Sequence, residues 1–162
     1  MQLHYHALFN YGTKYSNDYE LVKDTIQELF IGLWVRKENL NTDVNPRAYL
    51  FASLRRALHR KIQSGKKIVK ADYDQDDLLD FDFELSIEEK IIGKESDKIL
   101  AKKMGDVISS LPKRQKEVIY LKFFLGLTRD EIALIMGNKP QTVSNLLQLA
   151  FKTLRLELKE TS

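Results

Sequence analysis

The stretch GLTRDEIALIMGNKPQTVSNLL, Gly126 to Leu147, sets two short amphipathic helices on either side of a built-in stop. Thr128 and Glu131 have capping-box spacing, which starts a helix that turns Ile132, Ala133, Ile135 and Met136 inward. Small Ala133 lets another helix come close. Gly137 adopts left-handed backbone without steric cost and ends that helix. Asn138 is a candidate cap for a second helix, with Pro140 in its first turn and Val143, Leu147, Ala150 and Leu154 along its buried face. The pattern is a helix-turn-helix. Its second helix turns Gln141, Thr142, Ser144, Asn145 and Gln148 outward, short polar side chains suited to base edges in a major groove. An αα-hairpin in an ordinary bundle satisfies the same pattern. Lys139, Lys152 and Arg155 offer phosphate contacts, but the face is not strongly basic. A bidentate base contact contributes ~1–3 kcal/mol and the helix has room for few, so this module needs a second DNA contact or a partner.

The rest of the chain is also helical in period. From Tyr19 to Trp34, Leu21, Val22, Ile26, Leu29, Phe30 and Leu33 recur at three- and four-residue steps, with Ser16 or Asn17 as cap. A second helix begins after Asn45 with Pro46 at its first position; it carries Tyr49, Leu50, Leu54, Ala57, Leu58 and Ile62 inward and ends at Ser64 and Gly65. Ile99, Met104, Val107, Ile108 and Leu111 form one helix ending at Pro112, and Arg114 to Phe124 forms the next, closed by Gly126. Residues 64–95 show no sustained period. They read as a linker, whose roughly 30 residues span about 30 Å on average and near 100 Å when taut. Such a tether joins two modules without fixing their orientation, and its Leu78, Leu79, Phe81, Phe83 and Leu85 are apolar enough to dock on a partner. The expected fold is all-α: two small helical domains, residues 1–63 and 96–162, joined by a flexible acidic linker.

Charge is sorted along the chain far more than the net value of +3 conveys. From Val44 to Ala71 every formal charge is basic, including Arg47, Arg55, Arg56, Arg60 and Lys61; from Asp72 to Glu89 every one is acidic. The first block suits a polyanion and the second repels one. The 162 residues are 43% hydrophobic and 30% charged, a globular balance, with no cysteine for disulfides or thiolate metal sites. The N-terminus lacks the form of a secretion signal and no run is long enough to span a bilayer, so a cytoplasmic protein without membrane insertion is expected. His4, His6 and His59 fall at no metal-site spacing, and no phosphate-binding glycine loop or nucleophile motif occurs, so neither a cofactor nor catalysis is expected.

The segment LPKRQKEVIYLKFFLGLTRDEIALIMGNKPQTVSNLLQLAFKTLRLEL resembles region four of the extracytoplasmic-function sigma factors, small initiation subunits of bacterial RNA polymerase. The resemblance lies in Leu111-Pro112-x-Arg114-Gln115, Thr128 with Glu131-Ile132-Ala133, Thr142-Val143, and Ala150 with Leu154-Arg155. Asn145-Leu146-Leu147 resembles versions common in Bacteroidetes. DTIQELFIGLW, Asp24 to Trp34, is similar to the polymerase-binding helix of region two, and NPRAYLFASLRRALHRKI resembles the helix that follows it.

The resemblance implies core RNA polymerase and promoter DNA as partners, with membrane-bound anti-sigma factors a common further class that no residue here identifies. By similarity, Asp24, Gln27 and Glu28 face polymerase, while Phe30, Leu33 and Trp34 are core. Tyr49, Arg55, Arg56, His59, Arg60 and Lys61 fall where the family meets the minus-ten element, with Tyr49 equally suited to packing. Lys139, Gln141, Thr142, Ser144, Asn145 and Gln148 fall on the minus-thirty-five element, with Arg114, Arg129, Lys152 and Arg155 as backbone contacts. The family's linker runs through the basic nucleic-acid channels of polymerase, which accounts for the acidic run. Arg56 and Arg60 stand where the family frequently has Asn and an acidic residue, and Leu149 replaces a frequent basic one. The family also has more helix before the segment matching Leu3 to Tyr15, so region two is expected to be short of core or to begin upstream. The apolar faces of the two modules can be covered by a partner or by each other. The alternative function is a free-standing helix-turn-helix regulator that does not recruit polymerase.

Overall fold

The computed structural model describes residues 2–36, 45–65, 81–83 and 95–160. Seven α-helices run in the order α1 (Gln2–Thr13), α2 (Tyr19–Val35), α3 (Pro46–Gly65), α4 (Glu95–Ser110), α5 (Lys113–Ile119), α6 (Arg129–Met136) and α7 (Pro140–Glu160), with a π-helical segment, Tyr120–Phe124, extending α5. Strands are absent among the described residues.

Helices α1, α2 and α3 pack on one another around Leu8, Val22, Ile26, Leu50, Leu54 and Leu58. Gly12 sits at the crossing of α1 and α2: a Cβ there would lie 2.6 Å from Val22 Cγ1. The cap of α2 is Asp18 rather than Ser16 or Asn17; its carboxylate accepts from the Leu21 amide at 3.2 Å, while Ser16 Oγ accepts from the Asp18 amide. Asn45 caps α3 by accepting from the Arg47 amide at 3.0 Å.

The second module wraps α4, α5 and α6 against α7. Thr128 and Glu131 form the expected reciprocal capping box, and Gly137 ends α6 at φ 68°. The next helix starts at Pro140, so Lys139 holds the cap position, its carbonyl accepting from the Val143 amide; Asn138, whose buried Nδ2 has no partner, is not the cap. Ile99 and Met104 are exposed on α4, which is anchored by buried Ile108 and partly buried Val107, with Leu111 buried just past its end. The π-helical segment inserts one extra residue in the turn, with the Leu125 amide bonded to the Tyr120 carbonyl. No periodic signal in the sequence marks it.

The two modules are packed together. Helix α3 of the first module packs directly against α6 of the second. Of the two covers expected for the modules' apolar faces, a partner or each other, the structure has the second, and Phe81–Phe83 takes part in it. Phe81 and Phe83 are buried, Phe81 against Tyr11 of α1, Tyr15 in the turn after it and Tyr120 of the π segment, Phe83 against Tyr120 and Phe124. This part of the linker docks on the chain's own modules. Leu78, Leu79 and Leu85 lie outside the described residues.

Candidate polymerase and nucleic-acid interfaces

Helix α3 presents three faces. Leu50, Leu54 and Leu58 fill the core of the first module. Ala48, Phe51, Ala52 and Arg55, at i, i+3, i+4 and i+7, form a second buried stripe. On the third side, Tyr49, Ser53, Arg56 and Arg60 border an open groove whose opposite wall is Thr25, Glu28, Leu29, Gly32 and Arg36. Arg56 and Arg60 are exposed and Tyr49 is half-buried. Lys61 pairs with Glu28 at 2.9 Å. That contact offsets the carboxylate beside an otherwise cationic groove.

Asp24, Gln27 and Glu28 are exposed on one face of α2, as their spacing requires. Trp34 does not belong to the core: it is 62% exposed, near exposed Ile31 and Val35, whereas Phe30 and Leu33 are partly buried against the core. On α7, Gln141, Asn145, Gln148, Lys152 and Arg155 are exposed and Thr142 and Ser144 half-buried, with Lys139 exposed at the helix entrance. The Gln141 amide donates to Asn145 Oδ1 at 3.0 Å, and Arg129 of α6 reaches Ser144 Oγ at 3.4 Å. Arg114 is half-buried on α5. The polar face of the helix-turn-helix is thus open to solvent.

Arg55 stands apart from the other basic residues of α3. Its Nε and Nη2 donate to Glu117 Oε1 and Oε2 of α5 at 2.8 and 3.3 Å, and both side chains are almost wholly excluded from water. Glu117 Oε1 also accepts from the hydroxyls of Tyr11, at 2.7 Å, and Tyr15. Burial raises both tyrosine pKa values well above the ordinary value, and the adjacent carboxylate adds to the effect. For Arg55 burial opposes the charge, but Glu117 more than compensates and holds the guanidinium cationic. The expected DNA contact is therefore turned into the interior here, while Arg56 and Arg60 remain outside.

Further bonds close the seam. Arg47 Nη2 donates to the Leu125 carbonyl at 2.6 Å, and Asn45 Nδ2 donates to Glu131 Oε2 at 2.8 Å. Asp82 bonds both modules, its amide to the Lys14 carbonyl at 2.9 Å and its carboxylate to Lys116 Nζ at 2.8 Å. Glu117, Tyr11 and Tyr15 were not among the expected site residues. A signal exists: Glu117 shares a helical face with Tyr120, Leu121 and Phe124, and a charge heading an apolar stripe needs a buried partner.

A model of sigma-70 region 2 matches residues 1–68 and a model of sigma-70 region 4 matches residues 101–154. The chain belongs to the sigma-70 family. It is an RNA polymerase sigma factor, and these regions bind core polymerase and promoter DNA to direct the start of transcription. Among solved structures, the sigma factor RpoE from Bartonella quintana, in complex with the anti-sigma factor NepR, is 20% identical over 94% of this chain and 90% of its own, with a TM-score of 0.53. CnrH, in complex with the cytosolic domain of CnrY, is 18% identical over 99% of this chain and 86% of its own, with a TM-score of 0.56. At these identities the likeness is one of fold. No curated protein matches the chain. Among the described residues no helix is long and apolar enough to cross a membrane, and no group of acidic and histidine side chains could hold a metal ion.

Proposed function

We propose that this sigma factor is of a type common in Bacteroidetes and divides its labour among three surfaces. Residues 1–63 form the polymerase and minus-ten module, 64–95 the linker, and 96–162 the minus-thirty-five module. Asp24, Gln27 and Glu28, beside exposed Trp34, form the polymerase-facing surface of α2.

The observation that carries the DNA reading is the groove of α3, where Tyr49 is flanked by exposed Arg56 and Arg60. An unpaired base stacked on such a ring contributes ~1–3 kcal/mol, and the two guanidinium groups suit its flanking phosphates. His59 and Lys61 continue this basic helix, and Arg55 joins it once released from Glu117. On α7, Gln141, Thr142, Ser144, Asn145 and Gln148 read base edges, while Arg114, Arg129, Lys139, Lys152 and Arg155 contact the backbone. The chain acts without catalysis of its own, in the cytoplasm, where DNA and polymerase are. The solved relatives carry an anti-sigma factor or another protein's cytosolic domain, and we assign this chain a partner of the same kind.

The test is transcription in vitro with core polymerase, the purified chain and a genomic fragment library, with transcript starts mapped. Starts sharing two spaced elements are expected. Core binding without starts would remove the minus-ten assignment, and absence of core binding would remove the polymerase surface.

A further inference from the structure

Gly32 lies within α2 for no reason that the fold supplies. A glycine inside a helix is less favourable than alanine, so its place there calls for a cause, either a left-handed backbone or a close approach by a neighbour. Neither applies. Its φ is not positive, and a Cβ there would have no described atom within 4 Å. Gly12 is the contrast, where a Cβ would lie 2.6 Å from Val22 Cγ1. Gly32 borders the groove between α2 and α3, and what its missing side chain leaves is room in that groove.

The groove has a volume of about 360 Å³, at the small end of the ~300–1,000 Å³ typical of ligand clefts. Its charge is one-sided. Arg36, Arg56 and Arg60 line it, and Glu28, its one carboxylate among the described residues, is held by Lys61 at 2.9 Å. Guanidinium groups only donate hydrogen bonds. Arg56 and Arg60 belong to the α3 wall, whereas Arg36 belongs to the α2 wall, four residues after Gly32, with its amide bonded to the Gly32 carbonyl at 3.1 Å. Side chains on a helix lean toward its N-terminus, so Arg36 leans toward the room beside Gly32.

A base that enters between Tyr49 and this wall turns an edge to Arg36. Guanine alone is a purine with two neighbouring acceptors, O6 and N7, which one guanidinium meets with two N–H bonds. Adenine is as large but sets its N6 amino group against the same donors. Cytosine and thymine lack the second ring and leave the room beside Gly32 unfilled. We propose that Gly32 and Arg36 make the groove selective for one unpaired guanine of the minus-ten strand, Gly32 by leaving space for a purine and Arg36 by bonding O6 and N7. The proposal rests on the reading of this groove as the place where an unpaired base stacks on Tyr49.

The test is selection by core polymerase carrying the full chain, from fork-shaped promoter DNA whose unpaired non-template strand is randomised across the minus-ten region. Bases are compared within one complex, so a general change in polymerase binding cancels. One position should be enriched in guanine by about ten-fold or more. Arg36→Met should remove the preference for guanine over adenine at that position and keep the preference for purines. Gly32→Leu should move the position toward pyrimidines while raising the melting temperature of the chain, because a helix glycine has been replaced by a good helix former. A higher melting temperature with unchanged selection would make Gly32 only a weak point of α2 and overturn the proposal. A position whose preference is lost in Tyr49→Ala but favours a base other than guanine would overturn the guanine assignment and leave the groove reading intact. A selection that Tyr49→Ala alters at no position would overturn the groove reading, and the proposal with it.

Discussion

Arg55 of α3 and Glu117 of α5 form a two-bond ion pair, 2.8 and 3.3 Å, that joins the two modules in an almost dry environment. Each removes the cost of burying the other. Replacing only Glu117 with Leu leaves an uncompensated guanidinium and should destabilise the packed state by ~3–5 kcal/mol, less whatever is recovered when the modules part. Arg55→Met combined with Glu117→Leu should recover most of that loss. Urea unfolding of the four proteins of the cycle measures the coupling, and additive effects would contradict it.

The linker contact is expected to depend on Phe81. Phe81→Ala removes a fully buried ring from between two modules, a change worth ~3–5 kcal/mol in a core and bounded here by the stability of the seam. The readout is amide hydrogen exchange, with faster exchange expected in α3 and α6 and little change in the α2 core. Unchanged exchange across the seam would mean that the segment is not a structural part of it.

Alkaline pH should loosen the seam. Burial and Glu117 raise the Tyr11 and Tyr15 pKa values in the folded protein, so the unfolded or opened chain loses its phenolic protons first, near pH 10. The two tyrosines therefore contribute stability that is fully present below about pH 10 and is lost as pH rises from there through the folded values. Tyr11→Phe with Tyr15→Phe should flatten this alkaline fall in melting temperature, at the cost of two hydrogen bonds to Glu117.

Gly12 should tolerate no larger residue. Gly12→Ala places a methyl group 2.6 Å from Val22 Cγ1 and is expected to cost ~1–3 kcal/mol by forcing α1 from α2. Thermal unfolding reports it, and the compensating pair Gly12→Ala with Val22→Ala should recover part of the loss.

DNA contacts should divide into two kinds. Arg56→Ala should weaken promoter binding by the polymerase complex for all sequences and reduce the salt slope by about one. Gln148→Ala should instead relax preference at one or two positions of the upstream element, at ~1–3 kcal/mol, with the salt slope unchanged. The reverse pattern would exchange their assigned roles.

Much of this protein was legible in its sequence because local chemistry is written locally. The capping box of Thr128 and Glu131, the left-handed Gly137 and the helical period of α2 and α3 each depend on residues within a few positions, and the structure has all of them. The outward polar face of α7 follows from the same spacing. What the tertiary structure alone decided is which charges are spent inside. Arg55 and Arg56 are neighbours of one type, yet a step of about 100° around α3 buries the first against Glu117 and leaves the second in the outer groove. Trp34 is expected in the core from its helical spacing and is instead 62% exposed, because which side of α2 is covered depends on the helices packed against it and not on spacing within it. Phe81 and Phe83 sit in a run with no period, and only the convergence of Tyr11, Tyr15, Tyr120 and Phe124 from distant parts of the chain gives them a place to be buried. Helix formation is a property of neighbours along the chain; the closing of one module on the other is a property of surfaces that meet only after both have folded.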